Sequence, residues 1–372
     1  MQQSSFNIDE ILANFTFEGE YAGFYVLTNG HINNTFVLEF RNEFEQINSY
    51  LLQQINTNVF KNPDQLMENI VGVTAYLRAM IIENGGDPKR ENLNVIFTNG
   101  GKSYFHDDED RYWRCYDFIT ESYTCQRIED PLVFYNAAKA FGKFQCMLAD
   151  YPIDELYETI PNFHNTVSRF ADLKIAIETN ASGRAETARP EIDFALAREA
   201  DTGVLLGLLA EEKIPLRVTH NDTKLNNVMF DEKSNEGICV IDLDTVMPGL
   251  SLYDFGDSIR FGASTADEDE KDVSKVELDL ELYEQYTRGY LSAAGKSLTP
   301  YEVEYLPFAS KLITFECGIR FLGDYLNGDT YFRTAYDDHN LVRCRTQFAL
   351  VADMERKMEQ MNEITKKIYG RL

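Results

Sequence analysis

The sequence predicts an α+β chain in two lobes, a small β-rich N-terminal lobe and a larger, mostly helical C-terminal lobe. Three observations carry that prediction. Aromatic and β-branched runs separated by turn residues fill the segment from 19 to 55. Helical periodicity takes over after Ile119. One stretch, Leu216 to Thr245 (LRVTHNDTKLNNVMFDEKSNEGICVIDLDT), then interrupts the helices with two short β-prone runs around a polar loop. At 372 residues the chain is long enough for two packed lobes, and 25 Phe with 21 Tyr supply a core for both.

In chain order, NIDEILANF reads as a short helix over 7–16, with Ile8, Ile11, Leu12 and Phe15 apolar. Asn29-Gly30 is a hairpin signal between two strands, and a third strand is predicted at Tyr50–Ile55. Pro63–Glu83 repeats apolar residues at helical spacing, and strands at 94–97 and 112–119 complete a small sheet around that helix. Helices are predicted over 131–150, 153–160, 165–178, 185–211 (with Pro190 inside), 279–294, 300–326 and 341–369. The lobes are set at 1–118 and 119–372, where sheet gives way to helix.

Formal net charge is −26, from 61 acidic against 35 basic residues, which excludes general nucleic-acid binding. The same charge repels a triphosphate at long range, so a phosphate site needs bound metal and local cations. The acidic runs Asp107–Asp110 and Asp267–Glu270 read as solvated loops. The six cysteines form no C-x-x-C pair and read as reduced thiols. With no basic start ahead of an apolar core, and no run of about 18 apolar residues, a soluble, cytoplasmic protein without membrane partners is expected.

Within 216–245 the order is H-x-D-x-K-x-x-N, a strand, then I-D. That order suits phosphoryl transfer. Asp222 can orient an acceptor hydroxyl and take its proton, and Lys224 can offset charge on the moving group. Asn227 and Asp242 offer the hard oxygen ligands that Mg²⁺ prefers, with Asp244 a candidate second ligand. A surface hairpin with ordinary turn residues is the bland alternative, but five groups in this order weigh against it. Asp254-Phe-Gly256 imitates a metal-binding D-F-G, yet it stands 32 residues after Asp222, whereas Asp242 stands 20 after at the end of a strand. Asp242 is therefore the metal aspartate, and Asp254 and Asp257 are read as braces for the loop.

Other segments speak less clearly. The loop Thr28–Thr35 carries Gly30, His31, Asn33 and Asn34, and such a hairpin can fold over nucleotide phosphates. The third strand, YLLQQIN, has Gln53 and Gln54 where a phosphate-binding lysine would be sought, so Lys61 or Arg114 would have to bring a cation from elsewhere. Glu68, on the next helix, reads more simply as a solvent-facing residue than as a partner for such a lysine. Glu316, Arg320 and Gly323 share a helix face, and Arg320 with Tyr331 could hydrogen-bond a sugar.

HNDTKLNN followed by IDLDT resembles the aminoglycoside phosphotransferase and choline kinase superfamily. The wider set GHINNTFVL, VIDLDTVMPG, YDFGDSIR, RFLGDYLNGDTYF and HNLVRCRTQ is similar to its N-acetylhexosamine 1-kinase branch. The resemblance implies a bilobal protein-kinase-like fold and an ATP- and Mg²⁺-dependent kinase for the anomeric hydroxyl of GlcNAc or GalNAc. It implies that Asp222 is the base, that Asn227 and Asp242 hold Mg²⁺, and that His31, Arg320 and Tyr331 contact the N-acetylated sugar. ATP would engage Gly30, Asn33, Asn34 and Gln54, with adenine near Tyr116 and Phe118. Another acceptor, such as choline, an aminoglycoside or a different sugar, is the nearest rival. A pseudokinase sensing nucleotide or sugar is the next.

Overall fold

The computed structural model describes residues 6–27 and 32–372; Gly30 and His31 lie outside the described residues. After a short helix α1 (Ile8–Ala13), the chain lays down β1 (Glu20–Leu27), β2 (Asn34–Arg41) and β3 (Ile47–Gln54). Helix α2 (Pro63–Glu83) follows, then β4 (Val95–Ile96), β5 (Phe105–His106) and β6 (Tyr112–Asp117). These strands form one antiparallel sheet in the order β1-β2-β3-β6-β4, with β5 also paired to β6. Alternation along β6 sends its two faces to different cores. Trp113 and Cys115 join Phe36, Leu38 and Leu52 on one side. Tyr116 joins α2 residues Leu66, Ile70 and Val73 on the other. Asn62 caps α2 by accepting from Gln65 N–H, and Pro63 occupies its first turn.

Strand β7 (Ser122–Thr124) leaves that sheet and pairs instead with residues 229–231. The C-terminal part runs through α3 (Pro131–Met147), α4 (Thr166–Thr179), α5 (Arg189–Leu196), α6 (Val204–Ala210) and β8 (Arg217–Thr219). A hairpin of β9 (Val228–Asp231) and β10 (Gly237–Val240) comes next, then β11 (Met247–Gly249) paired with β8. The remainder is α7 (Ser251–Gly262), α8 (Leu280–Ala294), α9 (Pro300–Glu304), α10 (Leu306–Asn327) and α11 (His339–Tyr369). A β-rich N-lobe on a helical C-lobe is the predicted α+β architecture. Helix α7 lies close against α10 because Gly256 has no side chain; a Cβ there would come within 2.6 Å of the Ala309 carbonyl. No helix among the described residues is long and apolar enough to cross a membrane.

Some expectations need correction. The segment 153–160 is one 3-10 turn, Ile153–Glu155, since Pro152 and Pro161 bracket it and its backbone turns to meet α2. The segment 185–211 is two helices joined by a 3-10 turn, and Pro190 starts α5 rather than interrupting a longer helix. The segment 300–326 breaks at Tyr305, where Pro307 opens α10. Asp107 is buried, accepting from Trp113 Nε1–H at 2.9 Å and pairing with Arg111 at 2.7 Å, so the first acidic run is not wholly solvated. In the second run Glu268 pairs with Arg260 at 2.9 Å.

Candidate active site

The polar loop between β8 and β9 is pinned from below by α7. Asp254 accepts from the backbone N–H of His220 (2.9 Å) and of Asn221 (2.7 Å), and Asp257 accepts from Thr223 N–H (3.1 Å). Asp257 is held in turn by Arg260 at 2.9 Å; burial would raise its carboxyl, but Arg260, Lys224 and His164 together keep it below its usual range. Both aspartates therefore brace the loop. Asn221 sits at φ +63° and Asp242 at φ +60°, left-handed conformations that Asn and Asp tolerate better than most residues. His220 donates from Nε2 to the Ile241 carbonyl (2.8 Å) and accepts at Nδ1 from Asp222 N–H (3.2 Å). Its partners fix the tautomer, and the ring links the β8–β9 loop to the strand that delivers Asp242.

Ile241 N–H bonds to the Asn227 carbonyl at 2.9 Å, which closes the β9–β10 hairpin and sets Asn227 beside Asp242. Asn227 Nδ2 donates to the Asp222 carbonyl at 2.8 Å. Lys224 Nζ lies 2.7 Å from Asp222 Oδ1; burial works against its charge, but Asp222 and Asp257 hold the ammonium above its ordinary value. Burial pushes Asp242 up to about 6, with further repulsion from Asp244 and Asp222. Asp242, close to the carboxylates of Asp244 and Asp222 and beside the Asn227 amide, suits a hard divalent cation. Among the described residues no three His, Cys, Asp or Glu side chains stand ready as a metal cage. Magnesium at kinase sites takes its other ligands from water and phosphate.

The N-lobe meets this hairpin through Asp244. Arg114 on β6, 1 % exposed, pairs with Asp244 Oδ1 at 2.5 Å, and Asn33 Nδ2 donates to Oδ2 at 2.6 Å. Asn33 also accepts from Asn56 N–H at 2.9 Å, so both ends of the expected phosphate-binding amide are already in use. Asn34 and Gln54 bond to each other at 3.0 Å. Gln53 stands directly across from Arg114 in the β3–β6 register and accepts from its Nε (3.0 Å) and from a terminal N–H (2.8 Å). A cation thus stands on the neighbouring strand, directly opposite the third-strand glutamine. Tyr116 packs into the core with Arg114 5.4 Å above its ring, which leaves half-buried Phe118 as the more reachable of the expected adenine contacts.

The acceptor side gathers around α10. Arg320 lies 5.6 Å from the Phe163 ring, 5.9 Å from Tyr331 and 5.6 Å from Phe332. Asp324, one turn on, accepts from the N–H groups of Thr330, Tyr331 and Phe332, which fixes the loop that carries exposed Tyr331. Arg320 and Tyr331 are thus brought together. Sequence reasoning missed two residues here. Asn69 on α2 donates to the Val246 carbonyl (3.0 Å), while its neighbour Glu68 faces solvent, as read from the sequence. Buried His164 joins Glu316 to the β8–β9 loop.

Comparison with known proteins fits this geometry. Residues 127–300, which include the whole β8–β9 loop and the β9–β10 hairpin, match the model of the phosphotransferase enzyme family. The chain has the fold of small-molecule kinases. An amicoumacin kinase in complex with AMP-PNP and Ca²⁺ superposes with TM-score 0.60 at 13 % identity, covering 92 % of each chain. A microcompartment-associated aminopropanol kinase gives 0.57 at 14 %, covering 95 % of this chain and 98 % of that one. The choline kinase of Cryptosporidium parvum gives 0.53 at 16 %, covering 91 % and 90 %.

Proposed function

We propose that the protein is an ATP- and Mg²⁺-dependent small-molecule kinase that phosphorylates the anomeric hydroxyl of an N-acetylhexosamine. The observation that carries the phosphotransfer reading is the convergence of Asp222, Lys224, Asn227 and Asp242 on one hairpin-linked loop, braced by Asp254 and Asp257. Asn227 and Asp242 would hold the metal, which when bound offsets phosphate charge. Asp222 aligns the acceptor hydroxyl and takes its proton as the oxygen attacks in line. Lys224 neutralises negative charge beside the base. Catalysis then comes mostly from positioning and charge stabilisation.

The acceptor reading draws support from Arg320. An aromatic box of Phe163, Tyr331 and Phe332 already surrounds the chain's own guanidinium. A cationic amine would be repelled there, whereas a neutral sugar bearing an acetamido carbonyl would gain a donor. Coupled ADP release over a panel of N-acetylglucosamine, N-acetylgalactosamine, choline, ethanolamine and an aminoglycoside tests this. Turnover with the N-acetylated sugars alone is expected. Turnover only with an amine would overturn the acceptor, and nucleotide binding without turnover on any of them would make the protein a sensor.

A further inference from the structure

One peptide unit in the active-site loop is gripped by imidazoles on both sides. The N–H of Asp222 points to His220 Nδ1, and the carbonyl of the same peptide, from Asn221, lies 3.2 Å from His164 Nε2. His220 belongs to the loop motif, but His164 comes from the segment just before α4, far away in sequence. Its other nitrogen, Nδ1, lies 2.7 Å from Glu316 Oε1 on α10, and Thr166 donates to the second Glu316 oxygen at 2.6 Å. All three side chains are buried. A carbonyl and a carboxylate only accept, so both ring nitrogens must donate, and the ring is an imidazolium paired with a carboxylate. Glu316 lies one helical turn before Arg320.

We infer that His164 is a positioning residue, which ties the acceptor-binding face of α10 to the backbone that aims Asp222. The inference rests on Asp222 as the base. Backbone at φ +63° is an uncommon state for Asn221, and the 221–222 peptide is the link whose rotation would re-aim the Asp222 carboxylate. Asp254 holds the peptide before it, and His164 holds the peptide itself. Without the imidazolium, which donates to Glu316 and to this carbonyl at once, the carbonyl is free to turn, and small misplacements of a reacting group are costly in rate.

The test is a double-mutant cycle with steady-state kinetics on N-acetylglucosamine and N-acetylgalactosamine, together with calorimetric titration of Mg-ADP. His164→Gln is expected to lower kcat ~10–100-fold with little change in KM for ATP or in Mg-ADP affinity. Glu316→Gln, which keeps an acceptor for Nδ1–H, should lower kcat less. In an Asp222→Asn background His164→Gln should cost little more, because the histidine acts through the base. A folded His164→Gln enzyme with wild-type kcat, or an equal loss in both backgrounds, would overturn the inference while leaving the kinase reading standing. A wild-type protein that turns over neither sugar nor any other acceptor would overturn both.

Discussion

On the C-lobe side, Asp222, Lys224, Asn227 and Asp242 come from one continuous stretch, closed by the β9–β10 hairpin and braced from α7. On the N-lobe side the main cation, Arg114, sits 61 residues from the Gln53 that orients it and reaches Asp244 across the lobes. The first arrangement is local, so its chemistry follows chain order. The second depends on which strand lies beside which. A charge can move to the neighbouring strand, at the directly opposed position, without leaving any local pattern behind.

The largest effect should come from breaking the cross-lobe pair. Arg114→Met leaves Asp244 buried without its charge partner, with only the Asn33 amide on it, and a loss of ~3–5 kcal/mol in chemical denaturation is expected. Adding Asp244→Asn should recover most of it, and a single mutant as stable as wild type would mean that the pair does not join the lobes. On the C-lobe side, Asp254→Asn turns one of two acceptors into a donor aimed at a backbone N–H. A smaller cost of ~1–3 kcal/mol is expected, with reduced turnover. Normal activity there would detach α7 from the loop.

The His164–Glu316 pair should set a pH window for stability. Burial opposes both charges, but the pairing, helped by Asp257 at His164 and by Thr166 and Arg320 at Glu316, outweighs it: His164 lies above its ordinary value and Glu316 below. The glutamate contribution is lost as pH falls through its depressed folded value, and the histidine contribution as pH rises through its elevated one. The difference in Tm between wild type and Glu316→Gln should therefore be widest at intermediate pH and narrow toward both extremes. A pH-independent difference would show that the pair is uncharged. Least of all, Tyr331→Ala should raise sugar KM a few-fold, on the order of one lost hydrogen bond, with kcat unchanged. An unchanged KM would place the acceptor away from α10.

Much of the fold was legible because its signals are local. Asn62-Pro63 marks the start of α2, and alternation in Tyr112–Asp117 marks a strand with two buried faces. The spacing argument also separated Asp242 from the imitation D-F-G, and α7 does use Asp254 on backbone N–H groups. What stayed hidden required three dimensions. The string offered Arg114 only as one of two candidate cations and did not place it opposite Gln53, and nothing in it ties His164 to Asn221 or Asn69 to Val246. Nor did an acidic run announce that Asp107 would be buried beneath Trp113.

The most direct measurement of the central claim is the turnover of Asp222→Asn beside its affinity for Mg-ADP. The substitution preserves size and leaves Asn227 and Asp242 in place. With Asp222 as the base, kcat should fall by ~10²–10⁴ while Mg-ADP binding and Tm stay near wild type. Near-wild-type turnover in that variant would contradict the assignment of the reaction to this loop.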